Sequence, residues 1–434
     1  MSNLKEKLHD KILGWRPRTH RLATEFANVI VDQVTMEQII GGMRAVKCLV
    51  TDISYLDPNE GIRFRGYTIK ETLEKLPKPP GKEIPYVEGL FYLLLTGDIP
   101  TDDEIKEVLD EFSKRHAVPD YVFTLLRAFP KETHPMTLFS AAVLALQSDS
   151  IFVKKYHEGV SKLEYWDSTY EDSLNLLAKL SSIAAFIYKL KYKDGTIIES
   201  DESLDFGSNF AKMMGFAEPY DEIARLFFIL HSDHENGNVS AHAGHLVASS
   251  LSDPYLSISA MLNGLAGPLH GLANQEVLVW IQDVVNKMGG KIPNEEEMKK
   301  FVNDTLDAGH VIPGYGHAVL RKTDPRYEAQ REYCLKYLPE YDLFNFVNTL
   351  YKVVPDILTA KGKAKNPWPN VDAHSGIIQW YYGLTEYDFY TVLFGVGRTF
   401  GVLANIIWDR ALLYPLERPK SLTTDMLEHI AGIK

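Results

Sequence analysis

The chain has 434 residues, 45% of them hydrophobic and 24% charged, with a formal net charge of -12. A chain this long buries a large core without staples, and its acidic balance argues against non-specific nucleic-acid binding, which needs a basic face, while leaving room for a local basic pocket. Its two cysteines, Cys48 and Cys334, lack CxxC or metal-ligand spacing and read as reduced, intracellular thiols.

The first residues, Met1 to Lys7, hold no apolar signal core and carry an acid early, unlike a transit peptide. The expected location is therefore a bacterial cytoplasm. A processed chain from the mitochondrial matrix would look the same. No run of about 18 apolar residues free of charge occurs, so no membrane span is expected.

Strand signal is confined to roughly 46–68, where β-branched and aromatic residues are broken by the turn Leu56-Asp57-Pro58-Asn59-Glu60-Gly61. Beyond it, helical periodicity dominates. Thr101 is a good N-cap ahead of three acids, with Ile105, Val108, Leu109 and Phe112 at helix spacing. Leu138–Leu146, Tyr255–Leu265 and Tyr390–Leu413 are apolar nearly all round, as in buried helices. Residues 193–205 form the most polar connection. Asn294 caps another helix, which Gly309 ends. The expected fold is mainly α, with one small β element. No βαβ alternation and no GxxxxGK[ST] loop are present. Gly395, Gly397 and Gly401 mimic a dinucleotide motif but lie inside an apolar helix, where close helix packing explains them better.

Histidines cluster at His231, His234, His242 and His245. Helix-end and core roles explain most such residues. A metal site is the rival, but HExxH is absent, and no metal is expected. His270 sits in a Gly/Pro turn at a helix start, where it is either a helix-capping histidine or, since backbone N–H groups favour a neutral imidazole, a donor to a developing enolate oxygen. The segment Val311-Ile312-Pro313-Gly314-Tyr315-Gly316-His317 leads to Arg321 and Arg326, a cluster of potential cations fit for an anionic ligand. Lys361, Lys363 and Lys365 precede two prolines, and Asp372 then opens a helix as an N-cap or a general base. Arg398 is embedded among Val, Leu and Phe, and Arg418 follows near the C-terminus. Each is either half of a structural ion pair or a clamp on a carboxylate.

These segments, with Leu56–Tyr67 and Gly41–Arg44, resemble the citrate synthase family almost end to end, in its long eukaryotic-type (si) form. The resemblance implies a two-domain helical enzyme, a large domain of 1–271 with 378–434 and a small mobile domain of 272–377. It implies condensation of acetyl-CoA with oxaloacetate to citryl-CoA, then hydrolysis to citrate and CoA, the entry step of the tricarboxylic acid cycle. His270, His317 and Asp372 then take the catalytic roles, while His234, Asn238, Arg326, Arg398 and Arg418 bind oxaloacetate. Arg44, Lys162, Val311, Gly314, Arg321, Lys363 and Asn370 meet coenzyme A. Arg418 belongs to the partner's site in a homodimer, and acetyl-CoA is a co-substrate, with no permanently bound cofactor. Two departures stand out. Lys162 replaces a common arginine, losing a bidentate fork. Asn236 replaces a common glycine, and asparagine tolerates left-handed backbone angles.

The chemistry fits independently. A thioester methyl is a weak acid, so its enolate oxygen must be stabilised as the proton leaves. A carboxylate and a neutral imidazole do both at pH 7. The alternatives are a 2-methylcitrate synthase acting on propionyl-CoA and a His-rich metal-dependent hydrolase.

Overall fold

Reciprocal caps fix several helix starts. Thr101 accepts the Glu104 N–H while the Glu104 carboxylate accepts the Thr101 N–H at 2.8 Å, opening Asp102–Ser113. Asn294 and Glu297 open Glu295–Asp307 in the same way. Each pair satisfies donors that the first helical turn leaves orphaned. The computed structural model describes residues 3–317, 319–362 and 366–433, and these are overwhelmingly helical. The expected Lys363 contact lies outside the described residues.

The β element is a three-stranded antiparallel sheet, β1 (Ser54–Asp57), β2 (Gly61–Phe64) and β3 (Tyr67–Thr68), in that order. The Asp57↔Gly61 pair closes the turn that Pro58 and Asn59 signal. Residues 46–53, within the strand signal, are irregular. Ile53 is buried and Val50 exposed, and none of the β-branched residues here joins the sheet ladder.

The helix Tyr390–Leu412 forms the centre of the molecule, and every residue in it except Asp409 is buried. Its glycines are contact points. An added Cβ at Gly395 would come within 2.7 Å of Leu262, one at Gly397 within 3.0 Å of the Phe228 carbonyl, and one at Gly401 would strike Ser232 and Asp233. Glycine therefore lets the helix Tyr220–His231 and the turn after it lie directly on the central helix. Two stretches, Pro135–His157 and Tyr387–Leu412, have the length and apolarity of a membrane span; the second is wholly buried within the protein and the first half so.

Beyond His270 come the helices Ala273–Lys287, Glu295–Asp307, Pro325–Tyr337, Asp342–Lys361 and Asp372–Tyr381, which pack chiefly on one another. Asp372–Tyr381 also touches Tyr220–His231, and Pro325–Tyr337 touches the helix Ile69–Lys75.

Candidate active site

One half of the site is built on the central helix. Asn238 caps the helix Val239–Ser249, its amide oxygen accepting the Ala241 N–H at 3.0 Å. That oxygen also accepts from Arg398 Nη1 at 3.0 Å, while the amide hydrogens go to the carbonyls of His234 and Glu235 at 3.1 and 2.9 Å. Asn238 is thus committed to shaping the turn and aiming Arg398. The guanidinium also donates to the His231 carbonyl, 3.2 Å from Nε, and to the Ser240 hydroxyl, 3.3 Å from Nη1. Arg398 is 1% exposed, yet it has no ion pair among the described residues. Burial lowers its pKa to about 10, against the opposing charge of Asp233. A buried cation without a carboxylate is costly, and an anionic ligand relieves that cost. The alternative reading of Arg398, half of a structural ion pair, finds no partner carboxylate among the described residues.

The left-handed residue of the His234 turn is Glu235, at φ 58°, and not Asn236. Asn236 is buried and its amide reaches the Val50 carbonyl at 3.4 Å. Asparagine here fills a polar niche and does not relieve backbone strain. His234 Nε2 is buried without a partner among the described residues. Burial first, then Arg326 and His317, hold this ring well below the usual histidine range, so it is neutral.

His270 lies in the turn before Ala273–Lys287, but the helix start that touches its ring belongs to Val239–Ser249. Nε2 of His270 faces the Ser240 N–H at 3.2 Å and the Ser240 hydroxyl at 2.8 Å. A backbone N–H only donates, so Nε2 is unprotonated and the ring proton sits on Nδ1. Burial, then Arg398, lowers the pKa to about 4. The expected neutral state holds, though a different helix supplies it.

His317 is the mirror case. Its Nδ1 accepts the N–H groups of Val319 and Leu320 at 3.0 and 3.1 Å, leaving the proton on Nε2. Burial, then Arg326, lowers its pKa to about 4 as well. It is therefore not one of the cations expected here.

The loop that carries His317 is bracketed to the start of Asp372–Tyr381. Asn370 donates through its backbone to the Gly314 carbonyl at 2.9 Å and through its amide to the Gly316 carbonyl at 3.0 Å, and its amide oxygen accepts the Asp372 N–H at 3.0 Å. Gly314, at φ +79°, admits no Cβ, because Ala373 would lie 2.8 Å away. The glycine serves this close approach of two protein segments. The Asp372 carboxylate does not cap its own helix. Burial raises its pKa to about 6, leaving a carboxylate at neutral pH with raised basicity.

The rings of His234 and His317 stand 5.4 Å apart. Asp372 and His270 both sense the charge of Arg398. Arg326 binds both oxygens of Asp324, at 3.0 and 2.7 Å, through Nε and Nη2. Asp324 also caps the helix Pro325–Tyr337. His234, Asn238, His270, His317, Arg326, Asp372 and Arg398 thus converge. Ser240 and Asp324 are parts of this cluster that the motifs did not single out. The signal for Asp324 was its place before Pro325, an N-cap followed by proline at N1.

Other expected residues lie apart. Arg418 is exposed, and Arg44 and Lys162 are exposed with no side-chain bond to the cluster among the described residues. Arg321 is exposed, and it reaches the carbonyls of Val319 and Leu320. Val311 is 75% exposed. His242 and His245 turn away from the cluster toward Glu417 and Asp409.

The family model described as citrate synthase, C-terminal domain, matches residues 42–420. A protein named "Citrate synthase, mitochondrial" from Xiphias gladius is 54% identical over 435 residues, spanning 100% of this chain and 92% of that one. Another of the same name from Kajikia audax is 53% identical with the same coverage. A crystal structure of citrate synthase from Pyrobaculum aerophilum aligns with TM-score 0.77 and 26% identity, over 92% of this chain and 97% of that one. The mitochondrial relatives overturn the expectation of a bacterial cytoplasmic protein and point to the mitochondrial matrix. Sequence match, fold and converging polar residues agree, and the chain belongs to the citrate synthase family.

Proposed function

We propose that Asp372, His270 and His317 carry the family's reaction in this chain, the joining of acetyl-CoA to oxaloacetate and the hydrolysis of citryl-CoA to citrate and CoA. The observation that carries this reading is the pair of neutral imidazoles with opposite tautomers, each fixed by backbone N–H groups. The Asp372 carboxylate takes a proton from the acetyl methyl. As it leaves, Nδ1–H of His270 donates to the thioester oxygen, where negative charge gathers. The resulting carbon nucleophile attacks the oxaloacetate ketone, and Nε2–H of His317 supports the alkoxide. Water then attacks the thioester of citryl-CoA, releasing CoA.

Arg398 and Arg326 bind the oxaloacetate carboxylates, with His234 Nε2 as a further contact. Unpaired burial of Arg398 supports this role. Arg44, Lys162, Arg321 and Lys363 serve the coenzyme, with the backbone at Val311 and Gly314 and the bracket Asn370 beside it. The division into a large domain and a small closing domain of 272–377 fits the way the intervening helices pack on one another. Closure would keep water out until condensation.

The active unit is a homodimer in which Arg418 completes the partner's site. Exposed apolar residues on one helix, among them Val239 at 61% and Leu246 at 43%, support a covered face. The test is thiol release from acetyl-CoA with and without oxaloacetate. Release that depends on oxaloacetate is expected; release that ignores it would refute the reading.

A further inference from the structure

The turn that carries His234 is gripped from outside the site. The Ser54 hydroxyl, on β1, donates to Oδ2 of Asp233 and accepts the N–H of Glu235 at 3.0 Å. These are the two residues flanking His234. Two positions along β1, the Leu56 N–H donates to the Glu235 carboxylate at 2.7 Å. Ser54 is 4% exposed and Asp233 fully buried, so no water competes for these bonds. Glu235 needs the grip, because its left-handed φ is unfavourable for a residue with a side chain.

We infer that Ser54 is a positioning residue for oxaloacetate, holding the left-handed turn so that Nε2 of His234 stays aimed into the site. This inference rests on the reading that His234 contacts oxaloacetate. Nε2 is buried and unpartnered among the described residues, so a small rotation of the turn costs a ligand contact and no protein contact. The far end of the same hairpin reaches the other half of the site. The Pro58 carbonyl accepts the Arg321 N–H at 2.7 Å, and Gly61 lies against Pro325, the neighbour of Arg326. The hairpin therefore registers the His234 turn against the segment that bears Arg326.

The test measures oxaloacetate affinity by calorimetry in the absence of acetyl-CoA, with steady-state kinetics beside it. Ser54→Ala weakens oxaloacetate binding about tenfold, the loss of about 1.4 kcal/mol expected for one buried hydrogen-bonding group. The KM for oxaloacetate rises in step, while the KM for acetyl-CoA at saturating oxaloacetate stays within about twofold, a difference of about 0.4 kcal/mol. Ser54→Thr, which keeps the hydroxyl, restores affinity. Unchanged oxaloacetate affinity in Ser54→Ala, whatever its melting temperature, overturns the inference. His234→Asn is measured alongside. If it binds oxaloacetate normally, the His234 reading fails; if it binds weakly and Ser54→Ala does not, only the positioning role fails.

Discussion

The amide oxygen of Asn238 lies 3.0 Å from Nη1 of Arg398, and this neutral oxygen does what a carboxylate does for most buried arginines. The guanidinium is aimed without being neutralised. Arg398→Met removes a charge that has no ion pair among the described residues. The KM for oxaloacetate should rise about a hundredfold, corresponding to about 2.7 kcal/mol of charge-assisted binding. The melting temperature should hold or rise. Arg398→Lys keeps the charge but loses the fork, and should fall between the two. A large fall in melting temperature with unchanged KM would return Arg398 to a structural role.

The acid limb of activity should report Asp372. Its pKa is raised to about 6, whereas His270 and His317 are both lowered to about 4. In the proposed reaction Asp372 works as the carboxylate and the two histidines as neutral rings. As pH falls, the first to gain a proton is Asp372, so kcat/KM should drop with a midpoint near 6. Replacing His317 with Gln should lower the plateau and leave that midpoint in place. A wild-type limb centred near 4 would assign control to a histidine.

The raised pKa of Asp372 also bears on stability. A carboxyl whose folded pKa lies above its unfolded value destabilises the fold when ionised. The penalty is full above the folded pKa, near 6, and fades as pH falls toward the unfolded value. Asp372→Asn removes a cost on the order of 3 kcal/mol at pH 7.5, each tenfold change in proton affinity being worth about 1.4 kcal/mol. Thermal unfolding should show the variant a few degrees more stable than wild type at pH 7.5, the gap shrinking at pH 5. A destabilised, inactive variant would mean that the carboxylate serves the fold.

Much of this was legible in the sequence, and the illegible part has a common cause. Thr101, Asn294 and the apolar run 390–413 act through neighbours a few residues away, so local spacing reveals them. The glycines of the central helix could be read as packing because their surroundings are apolar. The tautomer of His270 was not readable, since Ser240 fixes it from 30 positions away. Ser54 and Asp233 are separated by 179 positions, and nothing local marks either. Asn236 drew attention by its type, but the left-handed angle falls on Glu235 because the Ser54 and Leu56 bonds close there.

Gly314 tests whether the bracket between the His317 loop and Asp372 matters for rate. A Cβ at this position meets Ala373 at 2.8 Å, and φ is +79°. Gly314→Ala must therefore push the loop off the helix start. Displacement of about 1 Å at a reacting group costs about a hundredfold in rate. kcat should fall by that order, with a smaller change in the KM for oxaloacetate, since Arg398 and His234 are held elsewhere. Full activity in Gly314→Ala would show that the loop and the helix are positioned independently.

Arg418 tests the shared site. It follows Glu417, which His245 holds at 2.9 Å through Nε2 while Nδ1 of the same ring meets Asp409 at 2.7 Å. Burial opposes a charge on this ring, but the carboxylates of Asp409 and Glu417 outweigh it and raise the His245 pKa, so the ion pairs anchor the segment. Arg418 itself is left exposed and projects from that anchor. Arg418→Gln and Asp372→Asn should each be nearly inactive while remaining dimeric by sedimentation. Co-refolding equal amounts of the two gives mixed dimers in half of the population. Each mixed dimer has one site with an intact Asp372 and an intact Arg418 from its partner, so activity should recover to about a quarter of wild type. If both residues of a site came from one chain, every site in every mixture would lack one of them, and no activity would return.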